Sequence, residues 1–199
     1  MPANEASWAD VEAVFGTRGD PSRCYCQRYK MASGESWASV GPEELAFRLR
    51  AQADCGRPEA GSTAGLVAFV DGKPAGWCAV EPRPSYPRLL LKARVPWEGR
   101  TEDKRDASVW AVTCLVTRVG FRRRGVSRAL VRAAVEFARG RGARALEGYP
   151  IADEGRGLLP GELHVGLRSA FEAAGFAEVS RPSLRRAVMR IDFAPGPAG

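Results

Sequence analysis

The chain has 199 residues, the length of a single domain, and its 45% hydrophobic and 27% charged residues exclude a disordered chain or a disulfide-rich miniprotein. It contains no run of about 18 apolar residues and no basic-then-apolar signal pattern, so we expect neither a transmembrane helix nor secretion. The net charge is +7, and residues 121–144, with eight arginines and one glutamate, account for all of it.

The first half of the chain contains two predicted helices and a predicted hairpin. Ser7 is a typical N-cap for a helix over 8–15, and Pro42 stands in the first turn of a helix over 41–54. Two apolar runs joined by Asp71-Gly72 predict a β-hairpin. The remaining segments are assigned as a loop or broken helix at 16–39, hairpin strands at 65–71 and 74–81, and a strand or loop near 86–95.

The second half alternates between strand and helix patterns. Residues 108–117 are apolar on both faces, as in a central buried strand, and residues 125–140 have helical apolar spacing. A strand at 143–149 would run parallel to 108–117 across this helix. The later segments are assigned as a loop at 150–161, a helix at 165–174 ended by Gly175, strands near 176–181 and 186–193, and a frayed tail at 194–199. This order predicts an α/β fold with a mixed sheet in one domain.

The loop at 118–124 is the main candidate binding site. It joins a buried strand to a helix N-terminus, which offers free N–H groups and a positive dipole end. Gly125 allows close backbone approach, and arginines at 122, 123, 124 and 128 surround the same point. We interpret this combination as a pyrophosphate site, and the later arginines as a solvated helix face. Neither a Walker A loop nor a G-x-G-x-x-G fingerprint is present.

From this loop outward, the chain resembles the GNAT superfamily of N-acetyltransferases. The segment RRRGVS (122–127) resembles the family's acetyl-CoA loop, and the hairpin GLVAFVDGKPAGWCAVEPR (65–83) resembles its second and third strands. WAVTCLVT, RALEGYP and FEAAGFAEV follow in the family's order. The stretches CYCQRYK, GWCAVEPRPSYPRL and LEGYP also resemble a less-characterised bacterial branch.

The resemblance implies a GNAT-like domain over 1–193, with a variable acceptor side at 1–64 and a core at 65–193. It implies that acetyl-CoA is the acyl donor, bound through its pyrophosphate by the loop and through its pantetheine arm by the fourth family strand. The implied residues are Cys114, Leu115, Val116, Thr117, Arg122, Arg123, Arg124, Gly125, Val126, Ser127 and Arg128.

The catalytic groups depart from the family pattern. The family tyrosine that protonates the leaving thiolate falls at Phe171, and the family asparagine falls at His164, the only histidine. His164 could hold the cofactor, act as an acid or base, or be structural. Glu147 and Glu81, at strand ends, are candidate general bases, with a buried ion pair to an arginine such as Arg83 as the alternative. Ser169 and Tyr149 are further candidate proton donors.

The implied acceptor side is rich in aromatic residues and cysteines, and core packing is the alternative for several of them. The candidates are Cys24, Tyr25, Cys26, Tyr29, Trp77, Arg83 and Tyr86. Cys24 and Cys26 are closer in sequence than a usual zinc-binding pair, and the odd number of cysteines fits reduced thiols in the cytoplasm, so we expect no metal site.

The resulting expectation is a cytoplasmic N-acetyltransferase that acts on a primary amine, favoured as a small molecule, by direct attack in a ternary complex. The alternatives are a non-catalytic acyl-CoA-binding regulatory module and, with less support, a nucleic-acid binder. We expect no nucleic-acid and no membrane partner, and a homodimer stays open.

Overall fold

The computed structural model describes residues 1–152 and 160–194. Within these ranges the chain forms one six-stranded sheet in the order β1-β2-β3-β4-β6-β5, in which only β3 and β4 run parallel. The strands are β1 Gly65–Val70, β2 Lys73–Pro82, β3 Val109–Thr117, β4 Ala145–Gly148, β5 Ala177–Ser183 and β6 Arg186–Asp192. The helices are α1 Trp8–Phe15, α2 Pro21–Cys24, α3 Trp37–Val40, α4 Pro42–Ala53, α5 Pro87–Leu91, α6 Val126–Gly140 and α7 Arg168–Glu172.

Local chemistry explains the predicted N-terminal elements. Ser7 accepts the backbone N–H of Asp10, whose side chain accepts the N–H of Ser7, so a capping box starts α1. Asp71 and Gly72 both have positive φ, at 51° and 69°, as a tight hairpin turn between β1 and β2 requires. Met1 pairs with Val67 through two backbone hydrogen bonds, which cover part of the β1 edge.

The two faces of the sheet carry separate cores. Helices α6 and α7 pack on one face, where one side of α6 is buried from Val126 to Ala138. Helices α1 and α4 cover the β1–β3 part of the other face. In the part of the chain that the structure describes, no helix is long and apolar enough to span a membrane.

Two expected segments differ from the prediction, and two others are only partly described. Residues 86–95 contain the short helix α5, because Pro87 stands at a first-turn position, where its missing N–H costs no hydrogen bond. The expected helix 165–174 is shortened to Arg168–Glu172, because Gly166 has a φ of 79° and a 3-10 turn, Pro160–Val165, precedes it. The expected loop 150–161 and tail 194–199 lie partly outside the described residues.

Strands β3 and β4 separate after a short contact. They pair only from Val109–Ala145 to Val112–Gly148, although β3 continues to Thr117. The register between β2 and β3 also shifts, because Ala79 pairs with Cys114 and Val80 with Val112, which leaves Thr113 as an extra bulged residue. The divergence therefore opens one edge of β3 in the middle of the sheet.

Candidate active site

The divergence between β3 and β4 is the candidate active site. On the β4 side, residues 113–117 of β3 have no strand partner among the described residues. The 3-10 turn Pro160–Val165 lies near β3, and a Cβ on the adjacent Gly166 would come within 2.8 Å of the Leu115 side chain. A thin ligand with amide groups could hydrogen-bond to this open backbone edge.

The N-terminus of α6 lies next to the end of β3. Gly125 stands before the helix with a φ of 76°, and no side chain caps the first turn. Gly76 on β2 allows this close packing, because a Cβ there would come within 2.6 Å of Val126 Cγ1. The first-turn N–H groups of α6 are thus left for an anion, which the positive end of the helix dipole attracts.

The loop before α6 adds positive charge without compensation. Arg122, Arg123 and Arg128 are exposed, and none has a carboxylate partner in the described part of the chain. Arg124 lies 3.4 Å from Asp71, an exposed pair that contributes little. Arg123 has a φ of 60°, a strained conformation for a side chain with a Cβ. The structure therefore brings together the residues predicted to bind acetyl-CoA, and their chemistry fits a diphosphate.

His164 lies in the 3-10 turn that approaches β3. Its Nδ1 is 2.7 Å from the carbonyl oxygen of Gly161, so Nδ1 carries the proton and Nε2 carries the lone pair. Burial lowers the pKa of His164, and the charges of Arg28 and Arg186 lower it further. Nε2 is buried without a hydrogen-bond partner among the described residues. The ring is therefore neutral near pH 7 with an unused proton acceptor.

Glu147 lies in an ion-pair cluster. Arg190 is 2.8 Å from its carboxylate, Arg83 is 3.5 Å away, and Arg100 contacts both of its oxygens. The Tyr149 hydroxyl donates to it at 3.0 Å. The carboxylate is fully buried. This geometry corresponds to the ion-pair alternative, and it leaves Glu147 no free oxygen to accept a proton from an amine.

Glu81 keeps the features of a candidate base. It lies at the end of β2, and its carboxylate is 2.5 Å from Lys30 Nζ. Burial raises the pKa of Glu81, while the neighbouring Lys30 opposes that rise. A carboxylate with a raised pKa is a better proton acceptor than an exposed one.

Phe171, at the position of the family's proton donor, and Tyr149, a candidate donor, are both constrained by packing. The ring of Phe171 is fully buried against Gly148, where a Cβ would lie 2.1 Å from the ring. It also makes an edge contact with Phe176 at 5.2 Å. Burial and the charge of Glu147 raise the pKa of Tyr149, and its hydroxyl already donates to that carboxylate. Phe171 therefore acts in packing, and Tyr149 belongs to the ion-pair cluster.

Several predicted acceptor residues lie in the core. Trp77, Arg83 and Tyr86 are fully buried, and Arg83 already binds Glu102 at 2.8 Å and the Asp103 carbonyl at 2.8 Å. The guanidinium of Arg83 is thus occupied within the protein, so it does not fit the predicted role on the acceptor side. Its contact with Glu147 at 3.5 Å corresponds to the ion pair that the sequence offered as the alternative, and Glu102 is an additional partner.

The segment Cys24–Cys26 also packs inward. Tyr25 stacks on Phe15 at 5.1 Å, and Cys26 is buried near Cys114. Burial raises the pKa of Cys26, and the neighbouring Cys114 thiol raises it further. Burial raises the pKa of Cys24 to about 11. Tyr25 and Cys26 both adopt left-handed φ values, 40° and 54°, which strains this turn. The thiols are therefore protonated and poorly nucleophilic at neutral pH.

Sequence reasoning missed a basic cavity on the same face as Glu147. It has a volume of about 560 Å³ and includes Arg28, Tyr29, Trp37, Tyr149 and Arg186 in its walls. The stretch CYCQRYK contains two of these residues, but nothing in the local sequence indicates that Arg186, from β6, would join them.

Comparisons with known proteins agree with this architecture. The acetyltransferase (GNAT) family model matches residues 28–150, which is more than half of the chain. An acetyltransferase crystal structure, 16% identical, matches with a TM-score of 0.55 over 94% of this chain and 97% of the other. A GNAT acetyltransferase from Streptococcus pneumoniae, 16% identical, has a TM-score of 0.50 over 96% of this chain and 97% of its own.

A third structure is AAC(6')-Ib in complex with paromomycin and acetyl-CoA. It is 16% identical and has a TM-score of 0.50 over 94% of this chain and 90% of its own. At such identities these structures show the fold alone. No curated protein matches the sequence. Because the family model covers most of the sheet and the loop before α6, the chain belongs to the GNAT acetyltransferase family and the protein is an acyltransferase.

Proposed function

We propose that the protein transfers the acetyl group of acetyl-CoA to the primary amine of a small molecule, by direct attack in a ternary complex. The observation that carries the proposal is the uncapped start of α6, with its unpaired arginines, beside the open edge of β3. Family membership supports the reaction, and AAC(6')-Ib, which shares the fold, has been solved with acetyl-CoA.

The chain's residues offer two sets of contacts to the donor. The N–H groups of Gly125, Val126 and Ser127, with the side chains of Arg122 and Arg123, would hold the pyrophosphate. The free backbone groups of residues 114–117 would pair with the pantetheine arm, and one N–H would face the thioester oxygen. Acetyl-CoA supplies an activated acyl group, and a backbone N–H that stabilises the developing oxyanion contributes about 3 kcal/mol to catalysis.

The acceptor amine must lose a proton for the reaction to proceed. Nε2 of His164 is a neutral, unpartnered acceptor on the turn beside β3. Glu81 is the second candidate, through its raised pKa. In this proposal His164 or Glu81 removes the amine proton, and the leaving thiolate is protonated through water, since Phe171 has no proton to give.

One feature favours a second candidate function. Phe171 is buried where the family pattern has a tyrosine, so an acyl-CoA-binding module without turnover is the alternative. A nucleic-acid binder that uses residues 121–144 is the third. The five cysteines are all unpaired, which supports the cytoplasm as the compartment, and a homodimer stays open.

Calorimetry with acetyl-CoA and with duplex DNA tests the binding part of the proposal. The double variant Arg122→Gln/Arg123→Gln should weaken acetyl-CoA binding at least tenfold, because each charged hydrogen bond contributes about 1.5–3 kcal/mol. Arg132→Gln, which removes an exposed arginine from the middle of α6, is the matched control and should change the Kd less than twofold. DNA binding without acetyl-CoA binding would refute the proposal.

A thiol-release assay over a panel of amines tests turnover. Acetylated amine, identified by mass spectrometry, should appear in proportion to free CoA. Tight acetyl-CoA binding without transfer to any amine would favour the non-catalytic module instead.

A further inference from the structure

The basic cavity lies at the point where the two parallel strands separate. Tyr149, in its wall, directly follows Gly148, the last residue of β4 that pairs with β3. The other walls come from the segment 28–37 and from residues 88–96 around α5. A molecule in this cavity would therefore lie near the end of β4 at the strand divergence, the region where the proposed function needs its acceptor.

Several charged groups around the cavity already have partners. Glu35, the one carboxylate among the described wall residues, is held by Arg48 through two contacts of 3.0 Å. Arg88 donates to the carbonyl oxygens of Ala32 and Glu35, and Arg94 pairs with Glu98 at 3.4 Å. Lys92 is exposed in the same wall and adds to its positive charge.

Arg28 and Arg186 are different, because each has unused donors. Arg186 donates one N–H to the Tyr149 carbonyl at 2.7 Å, but its Nε is buried without an acceptor. The guanidinium of Arg28 lies 5.8 Å from the centre of the Trp37 ring and has no carboxylate partner in the described part of the chain. Burial lowers the pKa of Arg186 and the charge of Arg28 lowers it further, while Tyr29 and Glu162 oppose that lowering. Two neighbouring cations, one with a buried unused donor and the other without a carboxylate partner among the described residues, form a candidate binding site for an anion.

The candidate proton acceptor His164 is not among the wall residues of this cavity, although the charges of Arg28 and Arg186 contribute to the lowering of its pKa by burial. A molecule that carries both an anionic group and an amine could bind the arginines with the first and extend the second towards the strand divergence.

We infer that the acceptor is a small amine that also carries an oxyanion, most simply an amino carboxylic acid, whose anionic group binds Arg28 and Arg186 in the basic cavity. This inference rests on the proposed acetyl transfer and adds the substrate class. The volume of about 560 Å³ suits a small molecule, and the Trp37 ring provides an apolar wall for its carbon skeleton. A planar guanidinium recognises a carboxylate through two parallel hydrogen bonds.

A matched substrate panel tests the inference with the full chain. The panel contains amino acids, the amines that result from their decarboxylation, their amides, and the corresponding aminophosphonates. We expect kcat/KM, measured by thiol release, to be at least 30-fold higher for some anionic members than for their neutral or cationic counterparts. The aminophosphonates show whether a carboxylate or a phosphonate is preferred.

Two variants link that preference to the cavity. Arg28 is solvent-exposed, so Arg28→Gln should fold normally, raise the KM for anionic amines at least tenfold, and leave the KM for acetyl-CoA unchanged. Arg186→Gln should do the same. Arg94→Gln removes an exposed, ion-paired arginine from the same cavity wall and should leave both KM values within twofold.

The outcomes distinguish a failure of this inference from a failure of the proposed function. Transfer to amines with no preference for an anionic group, or a preference that survives Arg28→Gln and Arg186→Gln, overturns this inference and leaves the proposed function intact. Transfer to no amine, despite binding of acetyl-CoA in calorimetry, contradicts the proposed function and this inference with it.

Discussion

Replacing Glu147 by glutamine should destabilise the fold because it leaves a buried cation without a partner. The cluster around it holds three arginines and three carboxylates, so its formal charge is zero. Its members are Arg83, Arg100, Arg190, Glu102, Glu147 and Asp192. Glu147→Gln leaves a net charge of +1 beside Arg83, which is fully buried.

The expected cost follows from known ion-pair energetics. Removal of one partner from a buried pair costs about 3–5 kcal/mol. For a chain of this size each kcal/mol lowers the Tm by about 2–4 °C, so Glu147→Gln should lower it by about 6–20 °C. Thermal unfolding followed by circular dichroism measures the shift.

Glu136→Gln is the matched control for this experiment. Glu136 lies on α6, is 72% exposed in its side chain, and pairs with Arg139 at 3.0 Å, so its loss should cost less than about 0.5 kcal/mol. If Glu147→Gln were as stable as this control, and if it lost kcat together with one limb of the pH profile, the reasoning would be refuted. Glu147 would then be the general base.

Three further predictions concern Gly148, His164 and Glu81. Gly148→Ala should destabilise the fold by about 1–3 kcal/mol in urea unfolding, because its Cβ would overlap the Phe171 ring. Adding Phe171→Leu to this variant should recover part of that loss. If the destabilisation of the double variant were the sum of the two single effects, the contact would be contradicted. His164→Ala should lower kcat/KM at least several-fold. In the wild type, activity should fall with decreasing pH only below the ordinary histidine range, since the pKa of His164 is lowered; an unchanged profile in the variant removes His164 from the site. Glu81→Gln should lower kcat. Lys30→Met keeps the Glu81 carboxylate and should shift the acidic limb of the pH–activity profile to higher pH, because Lys30 lowers the pKa of Glu81. Equal losses of kcat in both variants would indicate a structural ion pair.

Much of the fold could be predicted because its signals are local. The capping box at Ser7, the Asp71-Gly72 turn and the apolar face of α6 each depend on residues within a few positions of one another. The basic loop before α6 was predicted for the same reason, since the strand, the glycine and the arginines are contiguous. Helix α5 was not predicted, because its 5 residues are too few to show a helical spacing of apolar residues.

The partners of individual side chains could not be predicted in the same way. Arg83 obtains Glu102 from the following loop and Glu147 from β4, so its role depends on how the sheet is assembled. The pair Arg28 and Arg186 comes from opposite ends of the chain and meets only because β6 lies next to β4. Composition and motif spacing carry no information about such encounters.

The distribution of partners also divides the arginines by role. Those around Glu147 lie between carboxylates, so they hold the fold together and leave nothing for a ligand. The arginines at 122, 123 and 128 lack carboxylate partners among the described residues and surround an uncapped helix start, which fits the proposed binding of the donor's pyrophosphate. Arg28 and Arg186 line the basic cavity, also without a carboxylate partner in the described ranges, and in our inference they bind the anionic group of the acceptor. On this proposal the excess charge of residues 121–144 concerns the donor, while the charge that selects the acceptor lies outside that segment and does not appear in the sequence as a cluster.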